Sequence, residues 1–142
     1  MSEVNKQVAL KFIKAMGDND AAAAAECLAP DAYAVATGNS HFKGKRDARM
    51  MIDGIEAFKH LMPTGLAFTI LSVVGEGDQV AIECEGNAKT YTGADYCNKY
   101  VFFITLKDGK ITVVNEYFCT VLANEVLWPL AQSAAGLGET AA

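Results

Sequence analysis

The sequence holds little that could bind a metal or close a disulfide. Its four cysteines, Cys27, Cys84, Cys97 and Cys119, are scattered with no Cys-x-x-Cys spacing. They signal neither a zinc site nor a disulfide framework and read as small buried hydrophobes. Histidine is as scarce: His41 and His60 find no glutamate at ligand spacing on any single element, so no metal site is predicted. Dense positive charge is also missing. With a formal net charge of -5 and no cationic cluster denser than Lys43-Gly44-Lys45-Arg46, the chain lacks the surface that nucleic acid or an anionic membrane requires. No apolar run is long enough to span a bilayer, and Met1-Ser2-Glu3-Val4-Asn5-Lys6 lacks the basic-then-apolar order of a targeting segment, so a cytoplasmic protein is expected. Internal repeats are absent too.

What is present is apolar and ordered. At 142 residues and 51% hydrophobic, the chain suits one compact domain, expected over residues 1–130, with a small, polar, Gly/Ala-rich tail over 131–142 that reads as flexible. Val4, Val8, Phe12 and Met16 form one stripe of a first helix, widened by Ala9 and Ile13 and ending at Gly17-Asp18-Asn19. Asp20 caps a short helix of five alanines that Pro30-Asp31 closes. Ala32–Thr37 reads as a short strand, residues 38–44 as a loop, and Arg46–Leu61 as a third helix with Met51, Ile55 and Phe58 on its apolar face. Strands follow: Leu66–Gly75, Gln79–Thr90, Tyr96–Leu106 and Ile111–Val121. Asp108-Gly109 supplies the positive φ angles of a tight turn between the last two. A short terminal helix is expected over Leu122–Leu130, carrying the only tryptophan, Trp128. Helices gathered before antiparallel strands imply an α+β domain with the helices on one face of a bent sheet. Because Tyr100-Val101-Phe102-Phe103-Ile104 is apolar on both parities, the other face needs cover, and a second copy of the sheet supplies it: a homodimer is predicted.

The chemistry concentrates between Gln79 and Leu122. Val80-Ala81-Ile82-Glu83-Cys84-Glu85 alternates with period two, so Glu83 and Glu85 share one face and Val80, Ile82 and Cys84 the other. The alternation fits two assignments: carboxylates toward an interior pocket, or carboxylates toward solvent with the apolar set in the core. Glu116, set among Val113, Val114, Tyr117 and Phe118, is harder to leave in solvent.

The chain resembles the nuclear transport factor 2-like superfamily, and within it the SnoaL-like polyketide cyclases, ketosteroid isomerases and limonene epoxide hydrolases. The resemblance spans about residues 4–122. It rests on Phe12-Ile13-Lys14-Ala15-Met16 with Asn19-Asp20, Leu28-Ala29-Pro30-Asp31-Ala32, Gly44-Lys45-Arg46-Asp47-Ala48, Thr92-Gly93 with Tyr96, and Asp108-Gly109-Lys110-Ile111 through Glu116-Tyr117. It implies a cone-shaped half-barrel, with three N-terminal helices packed on a strongly bent, mostly antiparallel sheet and pairing through the outer face. The isomerase base and oxyanion tyrosine fall on Ala36 and Phe12, so that mechanism does not carry over. In the epoxide hydrolases the two acids match Glu116 and Glu85 while the arginine between them matches Glu83; the water-holding residues match Ala34 and Ala36, so nucleophile holder and cation are both missing. SnoaL-like relatives often carry Glu-Tyr-x-Asp on the last strand, where Cys119 replaces the Asp.

On the geometry the resemblance implies, Glu83, Glu85, Asn98, Tyr100 and Glu116 point into the cone, with Ile13, Met16, Val114 and Phe118 as apolar walls. Three carboxylates facing one apolar cavity cannot all remain ionised. The expected roles are Glu116 as general acid or base, Glu85 as its partner, Asn98 as orienter and Tyr100 as phenolic donor, with a small apolar molecule as ligand and no cofactor. His41, in the loop before the third helix, reads as a proton shuttle at the cavity mouth or as a surface histidine. Three functions suit this pattern: a SnoaL-like isomerase, cyclase, lyase or hydrolase; a non-catalytic binder of hydrophobic ligands; or a dimerisation module whose cone is filled by side chains.

Overall fold

A computed structural model describes residues 2–133; the tail expected to be flexible therefore lies outside the described residues from 134 onward, and 131–133 are helical. The elements run α1 (Ser2–Gly17), α2 (Ala21–Glu26), β1 (Leu28–Ala36), β2 (Gly44–Asp47), α3 (Ala48–Leu61), β3 (Ala67–Glu76), β4 (Gln79–Lys89), β5 (Asp95–Lys107) and β6 (Lys110–Phe118). After β6, α4 (Thr120–Leu122) passes into a π-helical turn (Ala123–Leu127), and helix continues over 128–133. The expected α+β cone is present: a six-stranded mixed sheet in the order β2-β1-β6-β5-β4-β3, with helices on its concave face. Only β1 and β6 run parallel; the other neighbours are antiparallel.

Local sequence explains most boundaries. Asp20 caps α2 by accepting from Ala23 N–H at 3.0 Å, and Asp47 caps α3 by accepting from Met50 N–H at 2.8 Å. Asp108 (φ 51°) and Gly109 (φ 76°) make the β5–β6 turn with both residues left-handed, as the Asp-Gly pair predicts. Gly17 ends α1 where Leu66 crosses it, its carbonyl accepting from Leu66 N–H at 2.8 Å; a Cβ there would stand 2.4 Å from the Leu66 carbonyl oxygen. Two expectations need correction. The first strand starts at Leu28, so Pro30 lies within it rather than closing a helix. Gly44–Asp47, read as loop and helix start, is an edge strand paired with β1. The Asp47 cap is the physical reason: it starts the helix two residues later, at Ala48, and leaves Arg46 extended.

Ala9, Phe12 and Ile13 of α1 pack against Val80, Ile82, Phe102, Ile104 and Val114 of the sheet. The convex face is apolar and bare in the single chain, with Leu71, Val74, Val101, Phe103 and Tyr117 all exposed. Among the described residues no helix is long and apolar enough to cross a membrane.

Candidate functional site

Small residues make room inside the cone. β1 turns Ala32, Ala34 and Ala36 inward, and Ala34 and Ala36 leave a space of about 100 Å³ walled by larger side chains. Phe12 and Met16 of α1, Met51, Ile55 and Phe58 of α3, and Phe68 and Phe118 of the sheet form apolar walls; Phe42, Ala123 and Leu127 close the mouth. The cone is therefore not filled by its own side chains.

One carboxylate lines this space. Glu116 stands opposite Ala36 in the parallel β1–β6 pair, and its backbone carbonyl accepts from Thr37 N–H at 3.0 Å and Thr37 Oγ1–H at 2.7 Å. That clamp fixes the strand, so the side chain projects inward, where it is 14% exposed. Arg46 stands opposite Ala34 in the β1–β2 pair. With only alanines between, its guanidinium spans β1 and donates through Nη2 to Glu116 Oε1. Burial pushes the Glu116 carboxyl above its ordinary range, and the Arg46 cation opposes this without cancelling it. Arg46 is 28% exposed, yet its Nε is buried and has no hydrogen-bond partner.

A chain of hydroxyls also borders the cavity. Asn98, only 4% exposed, donates through Nδ2 to Tyr96 Oη at 2.8 Å and to the Cys119 carbonyl at 3.1 Å. Its Oδ1 accepts from Lys99 N–H at 2.7 Å and Cys119 N–H at 3.2 Å, so every amide position is used and its orientation is fixed. Tyr96 Oη and Tyr100 Oη are 2.7 Å apart and both side chains line the cavity. Two phenolic protons share one inter-phenol bond, which leaves one O–H to donate into the space. Burial raises the Tyr100 hydroxyl well above the usual phenol value and raises Tyr96 as well, so both stay protonated donors. Tyr100 is held by a parallel stack on Phe102, with centroids 5.5 Å apart.

The structure brings together Glu116, Tyr100, Met16 and Phe118 of the expected set, with Asn98 directly behind the phenols. Glu85 and Glu83 are corrections. The β4–β5 register sets Cys84 opposite Tyr100 on the inner face and Glu85 opposite Lys99 on the outer one. Val80, Ile82 and Cys84 supply the buried face, so both glutamates turn outward; Glu85, 40% exposed, pairs with Lys99 at 3.4 Å. Burial accordingly pushes the Cys84 thiol up to about 11. Ile13 and Val114 are core residues packed beneath the cavity rather than its walls. His41 is also outside the lining: its ring stacks on Trp128 at 5.2 Å and its backbone N–H donates to Asn124 Oδ1. Arg46 also lines the cavity and is absent from the residues the sequence singles out; the Asp47 helix cap is the signal that leaves it in β2 rather than in α3. Among the described residues no three His, Cys, Asp or Glu side chains converge in a way that could hold a metal.

A sequence profile of the SnoaL-like domain matches residues 9–114. No curated protein matches the sequence. Among solved structures, PrhC from Penicillium brasilianum superposes with a TM-score of 0.82 at 19% identity, covering 94% of this chain and 93% of its own. A Bacillus subtilis protein provisionally called an isomerase gives 0.76 at 22% identity over 87% and 92%. A protein of Jannaschia sp. CCS1, provisionally called a SnoaL-like polyketide cyclase, gives 0.75 at 14% over 89% and 92%. At these identities the likeness establishes the shared fold.

Proposed function

The chain belongs to the SnoaL-like domain family, and from that premise we propose that it is an enzyme moving a proton on a small apolar or cyclic molecule held in the cone. The observation that carries this reading is Glu116, the one carboxylate lining a largely apolar cavity whose lining also holds a phenolic donor. A carboxylate in this setting takes a proton from carbon next to a carbonyl, while the Tyr100 hydroxyl donates to the carbonyl oxygen as charge develops there. Return of the proton to another carbon gives isomerisation; attack of the carbanion within the same molecule gives cyclisation. Asn98 acts as a positioning residue: through Tyr96 it polarises and aims Tyr100. Glu85 has no part in this chemistry.

A space of about 100 Å³ is smaller than the ~150 Å³ that holds a benzene in an apolar cavity. A ring therefore enters only as the mouth residues Phe42 and Leu127 yield, or with part of it projecting past Arg46 to solvent. The reading is tested by following hydrogen–deuterium exchange at the α-carbon of small cyclic ketones by NMR. Wild-type protein is expected to accelerate exchange and Glu116→Gln to lose the acceleration while keeping its fold; equal exchange by both refutes it. The bare convex face, carrying Leu71, Val74, Val101, Phe103 and Tyr117, supports a homodimer through the sheets. A reducing cytoplasm suits the four free thiols.

A further inference from the structure

We infer that Arg46 is the anchor for an anionic oxygen on the ligand, so that the cone selects ring compounds whose enol or phenol oxygen is ionised when bound. The inference rests on the reading of this cavity as the ligand site, and it does not require turnover. Three observations carry it. The guanidinium reaches the cavity wall from the edge strand across Ala34, in a lining otherwise without cations. Its Nη2 is committed to Glu116 Oε1, whereas the adjacent Nε–H is buried and donates to nothing. A buried donor on a cation is costly to leave unpaired, and the Nε–Nη edge of an arginine is a planar fork made for oxygen acceptors.

Nε–H is sealed in this structure, so an oxygen reaches it only as a ring entering the small cavity shifts the wall, and that oxygen then lies next to the Glu116 carboxylate. A ring hydroxyl delivered there gives its proton to Glu116; the O–H bond breaks, the Glu116 O–H bond forms, and the resulting oxyanion stays on the guanidinium. Charge balances: the Arg46–Glu116 pair becomes an Arg46–oxyanion pair beside a neutral carboxyl. The burial that already favours neutral Glu116 makes this exchange easier than it would be in water. Aromatic walls from Phe12, Phe58 and Phe68 suit the ring.

The probe is 4-nitrophenol, whose ionised form is read directly by its absorbance. Bound to wild-type protein it is expected to ionise roughly one pH unit or more below its value in free solution. Arg46→Gln is expected to abolish that shift and weaken binding of the anion roughly tenfold or more. Arg46→Lys keeps the charge without the fork and is expected to retain part of the shift. Glu116→Gln removes the competing carboxylate and is expected to keep or enlarge the shift, even though it eliminates exchange at carbon. Turnover that survives in Glu116→Gln therefore overturns the proton-transfer reading alone, and loss of the probe shift overturns this one alone. The inference is also overturned if the probe shows no saturable binding, if it titrates at or above its free value in the wild type, as it would were a trapped water the only partner of Nε, or if folded Arg46→Gln binds the anion as tightly as wild type. The wild-type titration decides the matter even where a variant does not fold.

Discussion

Removing the hydroxyl of Tyr96 and that of Tyr100 delete the same 2.7 Å inter-phenol bond, yet the two substitutions are expected to differ in a definite order. In Tyr96→Phe the Asn98 Nδ2 proton that pointed to Tyr96 Oη at 2.8 Å is stranded. Asn98 cannot turn to find another acceptor, because its other Nδ2 proton is held by the Cys119 carbonyl and its Oδ1 by the Lys99 and Cys119 amides. It is 4% exposed and does not line the cavity, so water entering the cone does not reach it. A stranded buried donor costs about 1–3 kcal/mol, in addition to roughly 1 kcal/mol for the lost bond itself. In Tyr100→Phe the stranded group is the Tyr96 hydroxyl; Tyr96 is 1% exposed but lines the cavity, and the oxygen removed from Tyr100 leaves room beside it for a water, so the cost is about 1 kcal/mol or less. At roughly 3–4 °C per kcal/mol for a domain of this length, Tyr96→Phe is expected to lower the melting temperature by about 6–16 °C and Tyr100→Phe by no more than about 4 °C. Activity is expected to run the other way, because in the proposed mechanism Tyr100 donates to the substrate and Tyr96 acts through it. Loss of a preorganised donor costs roughly 100-fold in turnover, against a smaller loss for Tyr96→Phe. Calorimetric melting of both variants and of the double variant, paired with the α-carbon exchange assay, checks the order. Equal melting temperatures, or a greater loss of stability in Tyr100→Phe, would refute the assignment of the hydrogen-bond chain.

Glu116 sets a pH dependence of definite sign. Its carboxyl is raised by burial, so the unfolded chain releases that proton at lower pH than the native one, and the ionised group costs stability above the native pKa. That cost fades as pH falls through the native value toward the unfolded one; urea unfolding across this window is expected to show it in wild type and not in Glu116→Gln, while turnover in wild type rises with pH through the native value. Gly17→Ala forces a Cβ to within 2.4 Å of the Leu66 carbonyl oxygen, a backbone contact that cannot rotate away, and is expected to cost about 1–3 kcal/mol or more in urea unfolding. Tyr117→Lys together with Phe103→Lys charges the convex face and is expected to convert a dimer to a monomer by light scattering with the fold intact; a wild-type monomer at micromolar concentration refutes the dimer instead. Trp128→Ala removes the ring that stacks on His41 and meets Phe42 edge-on, loosening the segment that brings Leu127 over the mouth, and is expected to speed release of 4-nitrophenol in stopped flow.

The fold was readable because its determinants are local. Alternation of Val80, Ile82 and Cys84, the Asp108-Gly109 turn and the Asp20 cap each act over a few residues, and together they leave few ways to arrange the helices on the sheet. Glu116 was readable for a related reason, since apolar neighbours on both sides of a strand leave a carboxylate no easy route to water. The direction of Glu85 was present in the sequence as well: a strand with three core-forming residues on one parity must turn the other parity outward, and the family likeness drew the carboxylates inward against that period. Arg46 belongs to another class of problem. Nothing local ties it to Glu116, 70 residues away; the contact exists because β2 and β6 both pair with β1, and because β1 presents alanines where any larger side chain would separate them. Where the epoxide-hydrolase pattern has an arginine on β4 this chain has Glu83, and the cation beside Glu116 comes instead from Arg46 on β2, at the opposite edge of the sheet. A substitution as small as Ala34→Leu should fill that crossing, part the ion pair and remove oxyanion binding while leaving both charged residues in place, an outcome that the 4-nitrophenol titration reads directly.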